Sequence, residues 1–348
     1  MTLASYLRAA PKVELHVHLE GAIRPATMRE LAARNGVTLP ELSNGASDRF
    51  AYRDFEHFIQ LFVAAVRSLR TVEDYERIVM EFADDLARQH VHYAEVTFSP
   101  STHSIYGVPQ ETYFAGLRQG RDRARAEYGV ELAWVFNLVR RWNDATRLRP
   151  LADYATSVAI EGREIGVVAL GLGGAEAGAP PEPFAPWFDR ALAVGLHSAP
   201  HAGELAGPES VWGAVRALGA ERIGHGVRAI DDPALMAELA RRRIALEVCP
   251  TSNICLGVYP TYAAHPLARL HAAGVPVTVN SDDPPLFGTT LNDEVALLAG
   301  PFGLDVAACD ELLLNAVRHS FLPPESKATL LANFQAELAA LKLLHLAT

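Results

Sequence analysis

His16-Val17-His18 sets two imidazoles two residues apart. Side chains alternate faces on an extended strand, so both rings point to one wall and Val17 to the other. Two neutral imidazoles on one wall are a natural pair of zinc ligands; the plainer reading is two solvent-facing histidines before a loop. His201-Ala202-Gly203-Glu204 can add a third nitrogen, with Glu204 beside the metal without having to bind it. A partly desolvated carboxyl there can hold a proton at neutral pH and act as a general acid. Its plainer reading is a Glu at a helix start, favourable to the dipole. In Arg222-Ile223-Gly224-His225-Gly226 the glycines leave room for water or substrate against the His225 ring, where a lone histidine is otherwise a packed core residue. Asp282 and Asp283 precede Pro284. Adjacent residues at a strand end point differently, so one can be a hard oxygen ligand and the other can hydrogen-bond substrate, unless the pair is simply an Asp-Pro turn. Three His and one Asp around one Zn2+, with an open position, form a catalytic rather than a structural set.

These residues share an address. Short β-prone runs are predicted at Val13–His18, Tyr93–Phe98, Leu132–Leu138, Val167–Leu172, Leu196–His201, Arg222–His225, Ala245–Cys249 and Val277–Ser281. Amphipathic helical stretches lie between most of them, at Gln110–Tyr128, Arg147–Glu161, Pro183–Val194, Glu209–Leu218, Pro233–Arg242 and Ala263–Ala273. Glycines follow several of these closely, as helix stops. Eight βα repeats predict an α/β fold, a (β/α)8 TIM barrel formed by residues 1–348 as one domain. A doubly wound open sheet would carry a Gly-rich phosphate turn after its first strand, and this chain has His16-Val17-His18 there instead. A helical insertion from Pro25 to His90 follows strand one, with a polar turn near Leu42–Asp48, and a helical extension runs from Leu291 to Thr348. In such a barrel the C-terminal ends of the strands form the active face, which is where His16, His18, His201, Glu204, His225, Asp282 and Asp283 fall.

Composition narrows the class further. The chain has 348 residues, 49% hydrophobic and 21% charged, enough for a large core. A formal charge of −10 lacks the basic footprint of a nucleic-acid binder. No run of eighteen apolar residues marks a membrane span, and residues 1–12 lack a signal-peptide pattern. Three cysteines suit a reducing compartment, and Cys249 and Cys255 read as packing residues. The expectation is a cytoplasmic enzyme with a small-molecule substrate, no nucleic-acid partner and no membrane.

Five ordered motifs carry a resemblance across essentially the whole chain. They are Pro11-Lys12-Val13-Glu14-Leu15-His16-Val17-His18-Leu19-Glu20-Gly21, Gly173-Gly174-Ala175-Glu176, His201-Ala202-Gly203-Glu204, Gly224-His225-Gly226 and Cys249-Pro250-Thr251-Ser252-Asn253, closed by Asp282-Asp283. The sequence resembles the adenosine deaminase family of metal-dependent amidohydrolase barrels. The resemblance implies hydrolytic deamination of a 6-aminopurine at a cyclic amidine C–N bond, with one Zn2+ per chain held by His16, His18, His201 and Asp282. Water activated by that metal would attack C6, His225 would orient it and take its proton, and Glu204 would protonate ring N1. Asp283 would meet N7 and the Gly174 N–H would meet N3, with His18 and Glu20 also facing the substrate. Glu20 stands where nucleoside-specific members carry an Asp toward the ribose 5′-hydroxyl, and Ala175 stands in a Gly-Asp-Glu pattern.

Adenosine or deoxyadenosine is the expected substrate, giving inosine or deoxyinosine and ammonia. The alternatives are aminodeoxyfutalosine, of a menaquinone route, and free adenine; a catalytically inactive binding barrel is the remote one. A two-metal amidohydrolase bridged by a carboxylated lysine is disfavoured because the only lysines are Lys12, Lys327 and Lys342, none near strand four. The His-x-Glu and Pro-Cys-x-x-Cys pattern of cytidine-type deaminases is missing. Tyr52, Phe55, Phe58, Phe62 and Arg67 of the insertion are candidate lining of the N9 side, against simple packing on the barrel. Arg140 and Arg141 are candidates for an anionic substituent, against exposed salt-bridge partners.

Overall fold

A computed structural model describes residues 2–40, 55–140 and 145–346. Eight parallel strands run in sequence order around one sheet: β1 (Lys12–His18), β2 (Val91–Phe98), β3 (Glu131–Arg140), β4 (Val167–Gly174), β5 (His197–Ala202), β6 (Arg222–His225), β7 (Ala245–Val248) and β8 (Val277–Val279). Each is followed by helical structure, so the sequence-predicted (β/α)8 barrel is observed. Helices Gln110–Tyr128 and Pro233–Arg242 begin and end where the sequence places them. The first stops at Gly129, whose φ of 68° lets the chain leave the helix in the left-handed region. The second starts at Pro233, with the Asp232 carboxylate accepting from Ala234 and Leu235 N–H.

Several boundaries differ from expectation. Strand β8 stops at Val279 rather than Ser281, and β3 and β4 run two residues further, to Arg140 and Gly174. Pro183–Val194 divides into a 3₁₀ turn, Glu182–Phe184, and a helix, Ala185–Ala193; Ala263–Ala273 shortens to a helix at Leu267–Ala272. Proline lacks the N–H a continuing helix needs, which accounts for a break around Pro183 and Pro186 and a late start after Pro266.

Helix α1 (Leu3–Ala9) precedes the barrel, and the insertion contributes α2 (Pro25–Arg34), α3 (Phe55–Ser68) and α4 (Val72–Ala87). The polar turn at Leu42–Asp48 and Tyr52 lie outside the described residues. Helices Leu291–Ala299, Val306–His319 and Pro324–His345 form the C-terminal extension; the second packs on β8 and β1. Among the described residues, no helix is long and apolar enough to cross a membrane.

Glu294, on the first of these tail helices, is fully buried and accepts from Thr251 N–H (3.0 Å) and Thr289 Oγ1 (2.5 Å). Burial pushes its carboxyl up to about 7. The native state therefore binds more protons than the unfolded chain between the ordinary Glu range and pH 7, so this group's contribution to stability falls as pH rises through that window. Glu294→Gln is expected to remove a pH dependence of up to about 3 kcal/mol. The check is the difference in unfolding free energy between wild type and variant, at about pH 4 and about pH 8: near zero at the first and in favour of the variant at the second.

Candidate active site

The seam where the barrel closes holds three of the candidate residues, His16, His18 and Asp282. Past β8 the chain continues to Asp282, which pairs with β1 by an isolated bridge to Val17. Its N–H donates to His16 O (3.0 Å), and its carbonyl accepts from His18 N–H (2.9 Å). Leu15 N–H donates to Asn280 Oδ1 (3.0 Å), and Glu14 accepts from Ser281 N–H (2.8 Å). Asp282 has a φ of 65° and His225 a φ of 60°, both in the left-handed region that costs a side-chain-bearing residue. Tertiary hydrogen bonds hold Asp282 there, and the turn carries its carboxylate inward beside His16 and His18.

Four side chains approach one another in pairs. His18 Nε2 lies 3.2 Å from His201 Nε2 and 3.4 Å from Asp282 Oδ1, and His16 Nε2 lies 3.7 Å from the same oxygen. Ligands at about 2.0–2.1 Å from a tetrahedral ion are separated by about 3.4 Å, so these edges suit a single small cation. The donor chemistry agrees. His16 Nδ1 donates to Glu247 Oε2 (2.8 Å), which leaves a bare Nε2, buried and without a protein partner. Burial pulls His18 down to about 4 and His201 well below the usual histidine range, so both rings are neutral. Asp282 lies below the usual carboxylate range despite its burial. Gly224 makes the approach possible, since a Cβ there would fall 2.7 Å from the His16 ring.

Behind His16 runs a buried ion-pair ladder that the sequence reading missed. Glu247 also accepts from Arg222 Nε (2.5 Å), Arg222 Nη2 donates to Glu95 Oε2 (2.5 Å), and Glu95 accepts from Tyr93 OH (2.9 Å). Glu247 stays low against its burial because of Arg222. Metal-binding histidines are commonly oriented by a carboxylate on the far nitrogen, and Glu247 fills that place. The available signal was a charged residue inside a short apolar strand, Ala245-Leu246-Glu247-Val248.

Glu204, His225 and Asp283 stand beside this cluster. His225 Nε2 is 3.8 Å from Glu204 Oε1 and 3.8 Å from Asp282 Oδ2. Burial raises Glu204. Burial and the charge of Asp282 raise Asp283 well above the carboxylate range, and its Oδ1 is buried without a partner. Gly21 backs directly onto Asp283: a Cβ would sit 1.5 Å from Oδ1. Glu20 is 1% exposed and lies behind the cavity wall. Its Oε1 accepts from Ser99 N–H (3.0 Å) and His103 Nε2 (3.2 Å), while Oε2 has no partner. His103 Nδ1 in turn accepts from Tyr75 OH (2.7 Å).

Glu176 has a larger part than its place in a signature suggested. Its carboxylate collects the N–H groups of Gly203 (2.5 Å), Glu204 (3.0 Å), Leu205 (2.8 Å) and Ala206 (2.9 Å), and the Ser210 hydroxyl (2.5 Å). One side chain thus fixes the loop that carries Glu204, and the hydrogen bonds of Ala206 and Ser210 hold it ionised against its burial. Glu176→Gln replaces one acceptor with a donor facing N–H groups. A roughly 100-fold loss of turnover with metal retained is expected, the size typical of a displaced catalytic group. Steady-state kinetics beside metal analysis checks it; unchanged kcat would show the loop is fixed by other means.

A cavity of about 340 Å³ opens over the cluster. His18, Gly174, His201, Glu204, His225 and Asp283 line one side; Phe58, Ile59, Phe62 and Val63 of α3 line another. Gly174, at the end of β4, has a φ of 88°, open to glycine without strain. Phe58 and Phe62 are therefore cavity residues, whereas Arg67 is exposed beside Tyr106 and outside the lining. Arg140 lines the cavity but is 2% exposed, not a surface ion-pair partner: Nη2 donates to His201 O (2.5 Å), and Nε and Nη1 lack partners within hydrogen-bond distance. Arg141 and the Phe55 side chain lie outside the described residues. Cys249 is buried as expected, but Cys255 is exposed and so is no packing residue.

Residues 11–337 match the family model described as adenosine deaminase. The chain is 43% identical to an aminodeoxyfutalosine deaminase of Streptomyces coelicolor, over 94% of this chain and 84% of that protein. It is 39% identical to an adenine deaminase of Cupriavidus taiwanensis, over 95% of this chain and 93% of that one. It superposes on an amidohydrolase from Burkholderia ambifaria, solved with bound Zn, with a TM-score of 0.87 at 26% identity, covering 98% of this chain and 94% of the other. These relatives correct the expectation of adenosine as substrate toward its alternatives. An eight-stranded barrel, a cluster of histidines and an aspartate at its mouth and a family match over nearly the full length lead to one assignment: the chain belongs to the adenosine deaminase family, whose members deaminate aminopurine-type compounds.

Proposed function

We propose that this protein hydrolytically deaminates a 6-aminopurine bearing a bulky substituent, with aminodeoxyfutalosine as the substrate and one Zn2+ per chain as the cofactor. The observation that carries the purine part is a match of donors to acceptors. Ring atoms N1, N3 and N7 of a 6-aminopurine are all acceptors. Around the cavity, Glu204 and Asp283 are carboxyls that burial pushes toward the protonated, donating form, and Gly174 offers a backbone N–H.

His16, His18, His201 and Asp282 would hold the zinc, and the metal would supply an activated water as nucleophile. Glu204 holds a proton at N1. As the new C6–O bond forms, the electron pair of C6=N1 moves to N1 and takes that proton, so charge is neutralised where it develops. Asp283 donates to N7 and Gly174 N–H to N3, fixing the ring plane. The C6–N bond to the amino group then breaks, the C6 hydroxyl giving its proton to the departing nitrogen as the C6=O bond forms, and ammonia leaves. Glu20, the substrate-facing candidate set behind the wall, acts by holding Ser99 and His103 in place.

The bulky substituent rests on the apolar wall of Phe58, Ile59, Phe62 and Val63 and on a volume within the range of about 300–1,000 Å³ that takes drug-sized ligands. The likeness to an adenine deaminase favours free adenine as a second reading. An ultraviolet and ammonia-release screen of the zinc-loaded protein over adenosine, deoxyadenosine, adenine, methylthioadenosine and aminodeoxyfutalosine tests both. The highest kcat/KM is expected on aminodeoxyfutalosine; preference for adenine moves the assignment to the second reading, and silence on all five rejects the purine.

A further inference from the structure

Hydrogen bonds around His225 run in one direction, and their direction is fixed at a backbone amide. Leu267 N–H donates to His265 Nδ1 (3.2 Å). A backbone N–H can only donate, so His265 Nδ1 is bare and the proton of this neutral ring sits on Nε2. His265 is 4% exposed, and burial pulls it down to about 3, which keeps it neutral. His265 Nε2–H faces Asn253 Oδ1 (3.1 Å), and Asn253, fully buried, turns its Nδ2 toward His225 Nδ1 (3.3 Å). An Asn amide nitrogen also only donates. Flipping Asn253 would set its N–H against the His265 N–H, so the amide orientation follows from the chain of partners.

We infer that Asn253 and His265 lock His225 in the tautomer whose Nδ1 is bare and whose Nε2 carries the proton, making it a hydrogen-bond donor to the reacting oxygen and neither a metal ligand nor the base that takes the water's proton. His16 shows the opposite wiring on the same barrel face. Its Nδ1 meets an acceptor, Glu247, so its Nε2 keeps a lone pair for a cation. His225 Nδ1 meets a donor, so its Nε2 has none to give. The His16, His201 and His225 nitrogens gather within 4.8 Å, a set that by distance alone could hold an ion, and the wiring removes His225 from it. The bonding also fits the far side of the ring, where Nε2 looks toward the Asp282 carboxylate, 3.8 Å away. A donor is stabilised beside that acceptor; a bare nitrogen would be repelled.

The consequence deepens the reading above and rests on it. In the hydrolysis the O–H bond of the attacking water breaks as the C6–O bond forms. Its proton must pass to a group with an empty acceptor site, and Glu204 becomes one once it has given its own proton to N1. His225 Nε2–H meanwhile orients the water and then the oxygen bonded to C6. Asn253 and His265 are positioning residues, acting only through the His225 ring.

Nitrogen NMR of the full-length, zinc-loaded protein with 15N-labelled histidine tests the tautomer directly, with His225→Gln used to assign the resonances. A bare Nδ1 and protonated Nε2 at neutral pH are expected; a bare Nε2 overturns the inference. Asn253→Leu removes the donor. The Nδ1–H form should then appear in the spectrum, and kcat should fall at least tenfold at unchanged zinc content. A reversed tautomer with undiminished kcat also overturns it. The spectrum needs no turnover, so loss of the purine reading and loss of the tautomer are told apart.

Discussion

Glu204→Gln is expected to keep its full complement of zinc and lose nearly all turnover. The replacement amide has the same shape but no proton to transfer at ordinary pH, and no capacity to take one back. General acid–base groups contribute about 10²- to 10⁴-fold, and the upper end applies here because N1 must be protonated as C6 is attacked. Glu204 is placed for this by Glu176 through the backbone, and burial pushes its carboxyl up. Its neighbour His225 stands 3.8 Å off, too far for a direct hydrogen bond, so the proton stays available to substrate. The decisive measurement pairs metal analysis with kcat/KM across pH. Equal loss of zinc and activity would make Glu204 a ligand; retained activity would pass the acid role to Asp283.

His201→Ala is expected to empty the metal site. Its Nε2 faces His18 Nε2 at 3.2 Å, so the variant removes one corner of a four-cornered set. The site would be left with His16, His18 and Asp282. Metal affinity falls steeply with the loss of a ligand, since perturbing even a partner of a ligand costs about 10- to 100-fold. Dialysis against a chelator, followed by metal analysis and thermal melting, should show stoichiometric zinc in wild type and little in the variant. The melting temperature of wild type should drop on chelation toward that of the variant, since ligand binding to the native state is stabilisation. A variant that still holds one zinc through chelation would transfer the ligand role elsewhere, with the nearby Cys249 the first place to look.

The sequence by itself determined the barrel and the address of its chemistry. Eight apolar β-prone runs, spaced by amphipathic helices, leave few topologies open, and parallel strands joined by right-handed crossovers close in order. The two-residue spacing of His16 and His18 dictates a common face wherever the strand lies, because alternation is a local property of extended chain. Local rules also placed Gln110–Tyr128 and Pro233–Arg242.

Other features were decided only by tertiary structure. Asp282 reaches the cluster through a left-handed turn beyond the end of β8, held by β1 from more than 260 residues away in sequence. Pattern extended β8 too far: Asn280 N–H still donates to Val248 O of β7, but the Asn280 side chain and Ser281 N–H turn to Leu15 and Glu14 of β1. Glu20 looks from its type like a substrate contact and Arg140 like a surface ion-pair partner, yet both are buried, Arg140 in the cavity wall, and burial depends on what other elements cover them. Glu176, Glu247, Asn253 and His265 carry no spacing signal toward the groups they serve. Their partners come from other strands and loops, and hydrogen-bond direction has no one-dimensional trace. Sequence supplies the reactive groups and the frame, whereas protonation states and tautomers are set by neighbours that only the closed barrel brings into hydrogen-bond reach.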